Sequence, residues 1–258
     1  MRLTSIHILG LLCTVMLTAG CSAMRTLEAA SDVREYYISV EPVLPEGEQY
    51  YVDPIDSSVV WSQGGVQVKI KLFDDRMLDA LYDARYTPYT LTGIDVPGYD
   101  YTPPLWTVFE VTVINRTRDR VEFDPTQVVL QLDDGGKFRC RQGVGLWYDE
   151  SEYYDYSYLK WSGQDGNTRY HASLDRNPIW ERSEYKREKP VRKGSRYSGM
   201  ITFPSLSLMT REITLEVGNF ILAFDRFEVG YGNPVEFIDL EFKFKVDHGV
   251  RSVREKQS

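Results

Sequence analysis

Apolar residues recur at every second position through much of the chain. Val66, Val68, Ile70 and Leu72 alternate with Gln67, Lys69 and Lys71. Phe109, Val111 and Val113 share one parity of Trp106–Ile114, with Glu110 and Thr112 on the other. Val128, Leu130 and Leu132 oppose Gln127 and Gln131, and Ile213, Leu215 and Val217 repeat the pattern in Arg211–Val217. Ile238, Leu240, Phe242, Phe244 and Val246 oppose Asp239, Glu241, Lys243 and Lys245. A period of two with one charged face is the signature of antiparallel strands buried on one side.

Turn signals separate these runs. Asp133-Asp134-Gly135-Gly136 reads as a hairpin turn, in which glycine supplies positive φ. Asn115–Asp119 divides Val113-Ile114 from Val121–Phe123. Lys193-Gly194 precedes a run over Tyr197–Phe203 that Pro204 stops. One segment, Asp74–Arg85, has helical spacing in Met77, Leu78, Leu81 and Tyr82, with Asp74 or Asp75 as cap and Pro88 beyond its end. It predicts a short helix plugging an open end of the sheets. Seven or more short strands with frequent turns predict an all-β fold, an immunoglobulin-like antiparallel β-sandwich with one short helix and a long inter-strand insertion.

The run WTVFEVTVINRTRDRVEFDPTQVVLQLDDGGKFR (106–139) resembles bacterial envelope domains of this sandwich class. In those, a strand ending in Asn leads through a polar turn to a second strand, an Asp-Pro corner and a hairpin. The resemblance carries no catalytic signature. The cysteine pair and tryptophan of antibody domains have no counterpart in the pattern.

The N-terminus adds an address. Arg2 precedes an apolar segment, Ile6–Leu17, too short to span a bilayer. Leu17-Thr18-Ala19-Gly20-Cys21 closes it and resembles the lipobox of bacterial lipoproteins, with Thr18 where Leu is commoner. The resemblance implies cleavage before Cys21, several acyl chains on that residue and durable membrane attachment, since one chain alone binds marginally. Ser22 after the cysteine implies, by the same resemblance and for a Gram-negative host, the outer membrane facing the periplasm. The expected organisation is a signal peptide over 1–20, a tether over 21–34, a sandwich domain over 35–247 with its insertion at 141–196, and a flexible tail over 248–258.

Charge and cysteine content narrow the partners. The chain has a formal net charge of −8, and removal of the leader takes one cation, Arg2, making it −9. A net-acidic body argues against nucleic acid, or anionic lipid, as a general partner. Cys13 leaves with the leader and Cys21 is acylated, so Cys140 has no intrachain disulfide partner. The fold must be held by packing, for which this length and 42% hydrophobic composition suffice.

The insertion concentrates the unusual chemistry. Gly145–Asp165 interleaves Trp147, Tyr148, Tyr153, Tyr154, Tyr156, Tyr158 and Trp161 with five acids and Lys160, a net −4. Arg169–Arg196 then holds nine Lys and Arg against four acids, a net +5. Loops on a rigid scaffold are where binding residues concentrate. Three readings stand at this point. The two halves could satisfy each other as a folded flap. They could form a protein-binding surface, with Trp147, Tyr148, Tyr153, Tyr154, Tyr156, Trp161, Arg182, Arg187 and Arg192 as anchors. Or the aromatics could stack on envelope polysaccharide or peptidoglycan.

Catalytic arrangements are thinner. His171 and His248 stand far apart in sequence, and no His/Cys cluster has zinc spacing. Cys140 has no neighbour that would lower its pKa. Ser157–Lys160 has the letters of an S-x-x-K motif without its companion motifs. Glu150 with Glu152, or Asp149 with Asp155, could pair only if held across a substrate. Asp133-Asp134-Gly135 lacks further calcium ligands, and Asn115-Arg116-Thr117 fits a glycosylation acceptor pattern that is expected to be silent in a bacterium. The expectation is a non-enzymatic envelope accessory or assembly protein without cofactor or metal. It would be anchored through Cys21 and bind a protein partner, with a polysaccharide-binding lipoprotein as the alternative.

Overall fold

The computed structural model describes residues 33–84, 86–92, 98–142, 168–225 and 232–253. Residues 36–251 make one compact unit, and 33–35 with 252–253 belong to a second unit formed by the chain ends. The packing below is that of the first unit. Cys21 and the whole of the 1–32 leader and tether expectation lie outside the described residues.

The expected all-β antiparallel sandwich is present. One sheet orders its six strands as β5 (Tyr101–Thr102), β1 (Val33–Val43), β13 (Pro234–Val253), β12 (Glu212–Phe224), β8 (Val128–Leu132) and β9 (Lys137–Arg139). The other orders five as β11 (Ser195–Pro204), β6 (Trp106–Asn115), β4 (Val66–Phe73), β3 (Val59–Gln63) and β2 (Tyr50–Val52). A two-stranded ribbon pairs β7 (Arg120–Val121) with β10 (Val191–Arg192). The alternation read from the sequence sets the register throughout. Ile70 pairs with Val111 and Val68 with Val113, while Leu215 pairs with both Phe242 and Leu130.

The inner faces meet in one core. Trp61 packs edge-on to Phe220 at 6.1 Å, Phe109 lies 6.0 Å from Phe244, and Tyr50 lies 5.7 Å from Phe242. Each of these pairs crosses from one sheet to the other. With Cys140 the free cysteine among the described residues, interdigitated side chains rather than a disulfide join the layers. The turns follow the expected chemistry. Gly135 takes φ +85° in the β8–β9 hairpin, and Asp134 Oδ1 accepts the Gly136 amide at 2.8 Å. Gly64 and Gly65, at φ +57° and +82°, close the two-residue β3–β4 loop, where both central positions need positive φ.

Three details differ from the sequence reading. A second helix, Thr168–Ser183, lies within the insertion. Its apolar residues form no clear stripe and Pro178 interrupts it, so periodicity gave no signal. The short helix Asp75–Leu81 is present, capped by Asp74 accepting the Met77 amide at 2.8 Å. It buries Leu78 but leaves Leu81 54% exposed, and Leu78 packs with Trp106 and Val108 on the outer face of the five-stranded sheet. It therefore covers a sheet face rather than plugging an open end. The last strand runs to Val253, so 248–253 are strand where a tail from 248 was expected.

Phe242 is 1% exposed at the centre of the core. Phe242→Ala should lower unfolding free energy by about 3–5 kcal/mol in a urea titration. A near-neutral result would mean that the β12–β13 register is wrong.

Candidate functional site

The insertion begins on one strand edge and returns to it at Glu184-Tyr185, after its helix. β11 is the outer strand of its sheet, and beyond it the Arg141 amide donates to Thr202 O at 2.9 Å. Two residues along the same edge, the Tyr185 amide donates to Met200 O at 2.9 Å, and Glu184 bridges Met200 in parallel. Arg141 and Tyr185, on either side of segment 142–184, thus occupy adjacent hydrogen-bonding positions that would otherwise lie open on a sheet edge. Gly199 makes this possible, because a Cβ there would lie 2.5 Å from Tyr185 Cα and 2.6 Å from its nitrogen. Tyr185 itself is buried, 4.8 Å from Phe123 and 4.7 Å from Tyr197 between ring centres.

The C-terminal part of helix Thr168–Ser183 then lies on the outer face of the same sheet. Trp180 stacks on Tyr89 at 4.9 Å and meets Trp106 edge-on at 6.4 Å. Tyr89 Oη and Ser183 Oγ are 2.6 Å apart, and Ser183 Oγ also donates to Ile179 O. Leu78, Leu91, Leu105, Val108 and Met200 complete this second apolar cluster. A sequence signal existed for it: Trp106 and Val108 are apolar on the parity that should face solvent, and Trp106–Phe109 is buried on both faces. Beyond the cluster the outer face turns polar. Lys69 Nζ holds Asp53 at 2.7 Å and Asp56 at 3.0 Å. The Lys69 hydrogen bond lowers the Asp53 pKa. Burial opposes ionisation of Asp56, but hydrogen bonds from Ser58 and Lys69 outweigh it and take that carboxyl down to about 2.

The anchors proposed from sequence separate into two groups. Trp147, Tyr148, Tyr153, Tyr154, Tyr156 and Trp161 lie outside the described residues, as do Ser157, Lys160 and the carboxylates Asp149, Glu150, Glu152 and Asp155. The three arginines are described, and the structure does not bring them together through any direct interaction. Exposed Arg182 donates from Nε to Pro178 O at 2.9 Å on the helix. Arg187 reaches Asp124 Oδ2 at 3.1 Å, on the carboxylate that also caps the Pro125–Gln127 turn. Arg192 stands exposed on the ribbon, paired across it with Arg120.

The described candidates for chemistry are engaged in structure. Cys140 is buried, and burial pushes its thiol up to about 11. His248 is 6% exposed, with Nε2 3.0 Å from Thr210 O and Nδ1 3.0 Å from Tyr36 Oη. Since a carbonyl only accepts, Nε2 carries the proton and neutral Nδ1 accepts from Tyr36. Asp133 Oδ2 accepts the Arg211 amide at 2.7 Å. Asn115 is fully buried: Nδ2 donates to Arg118 O and Val191 O, both at 2.8 Å, and Oδ1 accepts the Thr117 and Arg118 amides. The residue matching a glycosylation pattern thus fastens one turn to the ribbon. Among the described residues no group of three His, Cys, Asp or Glu is placed to hold a metal ion, and no helix is long and apolar enough to cross a membrane.

No family model matches the chain, and no curated protein matches it. Among solved structures it is similar to MPT63, a secreted protein from Mycobacterium tuberculosis, at 14% identity, covering 63% of this chain and 86% of that one with a TM-score of 0.27.

Two outcomes test this arrangement. Trp180→Ala should cost about 3–5 kcal/mol of stability, whereas exposed Arg182→Ala should stay within about 0.5 kcal/mol; equal effects would contradict a helix packed through its tryptophan side. Burial, with Arg211 adding to it, lowers the His248 pKa against the raising effect of the Thr210 hydrogen bond. The unfolded chain therefore takes up this proton first, and the associated stability is complete above about pH 6.5 and is lost as pH falls through the folded value. Urea titrations should show it fall by up to about 1.4 kcal/mol per pH unit in that window. His248→Gln should flatten the slope, and an unchanged slope would contradict the assignment.

Proposed function

We propose that this chain is a lipid-anchored accessory or assembly protein of a bacterial cell envelope, held at the membrane by acylated Cys21. It engages a protein partner through the aromatic and charged residues of its insertion. The observation that carries the reading is the fixed base of that insertion: its two stems are bonded to Thr202 and Met200 on one strand edge. A binding segment carried between rigid, neighbouring stems loses less conformational freedom on association than one on a free tail. Tyr, Trp and Arg, the side-chain types concentrated there, are those that dominate the energetics of protein interfaces. His248 and Cys140 are consistent with a non-catalytic role, because both are committed to packing and hydrogen bonds.

Two experiments separate the anchor from the partner. Cys21→Ser should abolish acylation and move the protein from the detergent phase to the aqueous phase, and continued detergent partitioning would contradict the anchor. Photo-cross-linking from Trp147 or Trp161 positions in cells should trap one defined protein. Scattered products, or retention on purified peptidoglycan that Trp147→Ala and Trp161→Ala abolish, would contradict the protein-partner reading.

A further inference from the structure

The end of the sandwich where three turns meet carries a concentrated positive charge on an acidic protein. The β3–β4 loop, the Asn115–Asp119 turn and the β10–β11 turn are fastened together there. The Arg116 amide donates to Gly65 O at 2.9 Å, Thr117 Oγ1 donates to Gly64 O, and the Gly194 amide donates to Asn115 O at 2.7 Å. The Lys193 amide reaches Asp119 O at 3.3 Å, and the buried Asn115 side chain ties the second turn to Val191. Register places Arg196 opposite Ile114 and Arg192 opposite Arg120.

The cations at this end differ in their commitments. Arg118 makes a two-pronged pair with Glu236 at 2.9 and 3.1 Å. Arg120 pairs with Glu122 and lies 3.5 Å over the Phe224 ring. Arg116, Arg192, Lys193 and Arg196 are all exposed and form no ion pair among the described residues, with Asp119 the acid on the same turns. Four unneutralised cations held on one rigid end of a chain of net charge −8 repel one another, and nothing in the fold needs them there.

We propose that this basic end lies against an anionic phospholipid bilayer, which assigns Arg192 to lipid and leaves Arg182, Arg187 and the aromatic residues of the insertion to the protein partner. The arrangement suits a bilayer, because Arg116 and Lys193 stand on exposed turns and Arg192 and Arg196 are exposed on the strand residues that flank the second of these turns, so all four sit at one end of the sandwich. Their chemistry favours it too: each basic residue is weakly attracted to an anionic leaflet, and four held on one rigid end act together. The acidic remainder of the molecule is repelled by the same surface, and the two effects orient the body with this end down. This contact is independent of acylation. It revises for one end only the expectation that a net-acidic body avoids anionic lipid.

The test uses the full chain carrying Cys21→Ser, so that no acyl chain contributes. Vesicles of phosphatidylcholine with one third phosphatidylglycerol should bind it, and phosphatidylcholine alone should not. Binding should fall steeply between low and physiological salt. Reversal of the four cations (Arg116→Glu, Arg192→Glu, Lys193→Glu, Arg196→Glu) should weaken vesicle binding at least 100-fold. The same change in net charge on the other sheet (Lys137→Glu, Arg139→Glu, Lys243→Glu, Lys245→Glu) should weaken it less than 10-fold. Equal loss in both variants would overturn the proposal by making net charge the cause. So would the absence of preference for phosphatidylglycerol, or binding to soluble polyglutamate in place of vesicles. Circular dichroism of both variants checks that each is folded before binding is compared.

Discussion

The hydrogen bonds from Arg141 and Tyr185 to the outer edge of β11 are the constraint on which the rest of the molecule turns. A strand edge in a sandwich must be covered, or it pairs with another chain. Here Arg141 and Tyr185, on either side of segment 142–184, cover it. In doing so they place a long connection at one point on the surface and direct helix Thr168–Ser183 onto the outer face of the sheet. Gly199 is the residue that permits the close crossing, since any side chain there would meet the Tyr185 backbone.

A two-layer sandwich thereby acquires a third layer on one side. The Trp180, Tyr89 and Trp106 cluster buries the outer face of β6 near its start, while the remainder of that face stays polar around Lys69, Glu110 and Thr112. Burial raises the Glu110 pKa, with Lys71 opposing the shift, which marks the edge of the covered region. On the inner side, aromatic pairs such as Phe109 with Phe244 join the sheets without a covalent link. Stability therefore rests on shape complementarity in two clusters, and each is sensitive to the loss of a single large side chain.

The sandwich was legible because its strands are half-buried: period-two alternation in β4, β6, β8, β12 and β13 assigned every core-facing residue of those runs to the correct side. The Asp133–Gly136 hairpin was legible for the same local reason. The helix in the insertion was not, since Pro178 and mixed polarity erase its period. The outer cluster joins Leu78, Tyr89, Trp106, Trp180 and Met200, which are far apart in sequence, and pattern analysis within a window cannot join them. The stems were invisible because they bond through backbone amides, leaving Gly199 as their single side-chain trace. The structural role of Asn115 was invisible for a similar reason, as its polar side chain is spent on backbone groups inside the fold. The arginines proposed as one surface were chosen by proximity in sequence, and the fold distributes them over a helix, a loop and a ribbon.

Native-state hydrogen exchange at the Arg141 and Tyr185 amides tests the fixed base most directly. Both should exchange with protection comparable to β11 and β6 amides in the core, opening only with global unfolding. Exchange at the rate of exposed turns, such as the amides of Gly135 or Ile55, would contradict it and leave the insertion without a platform.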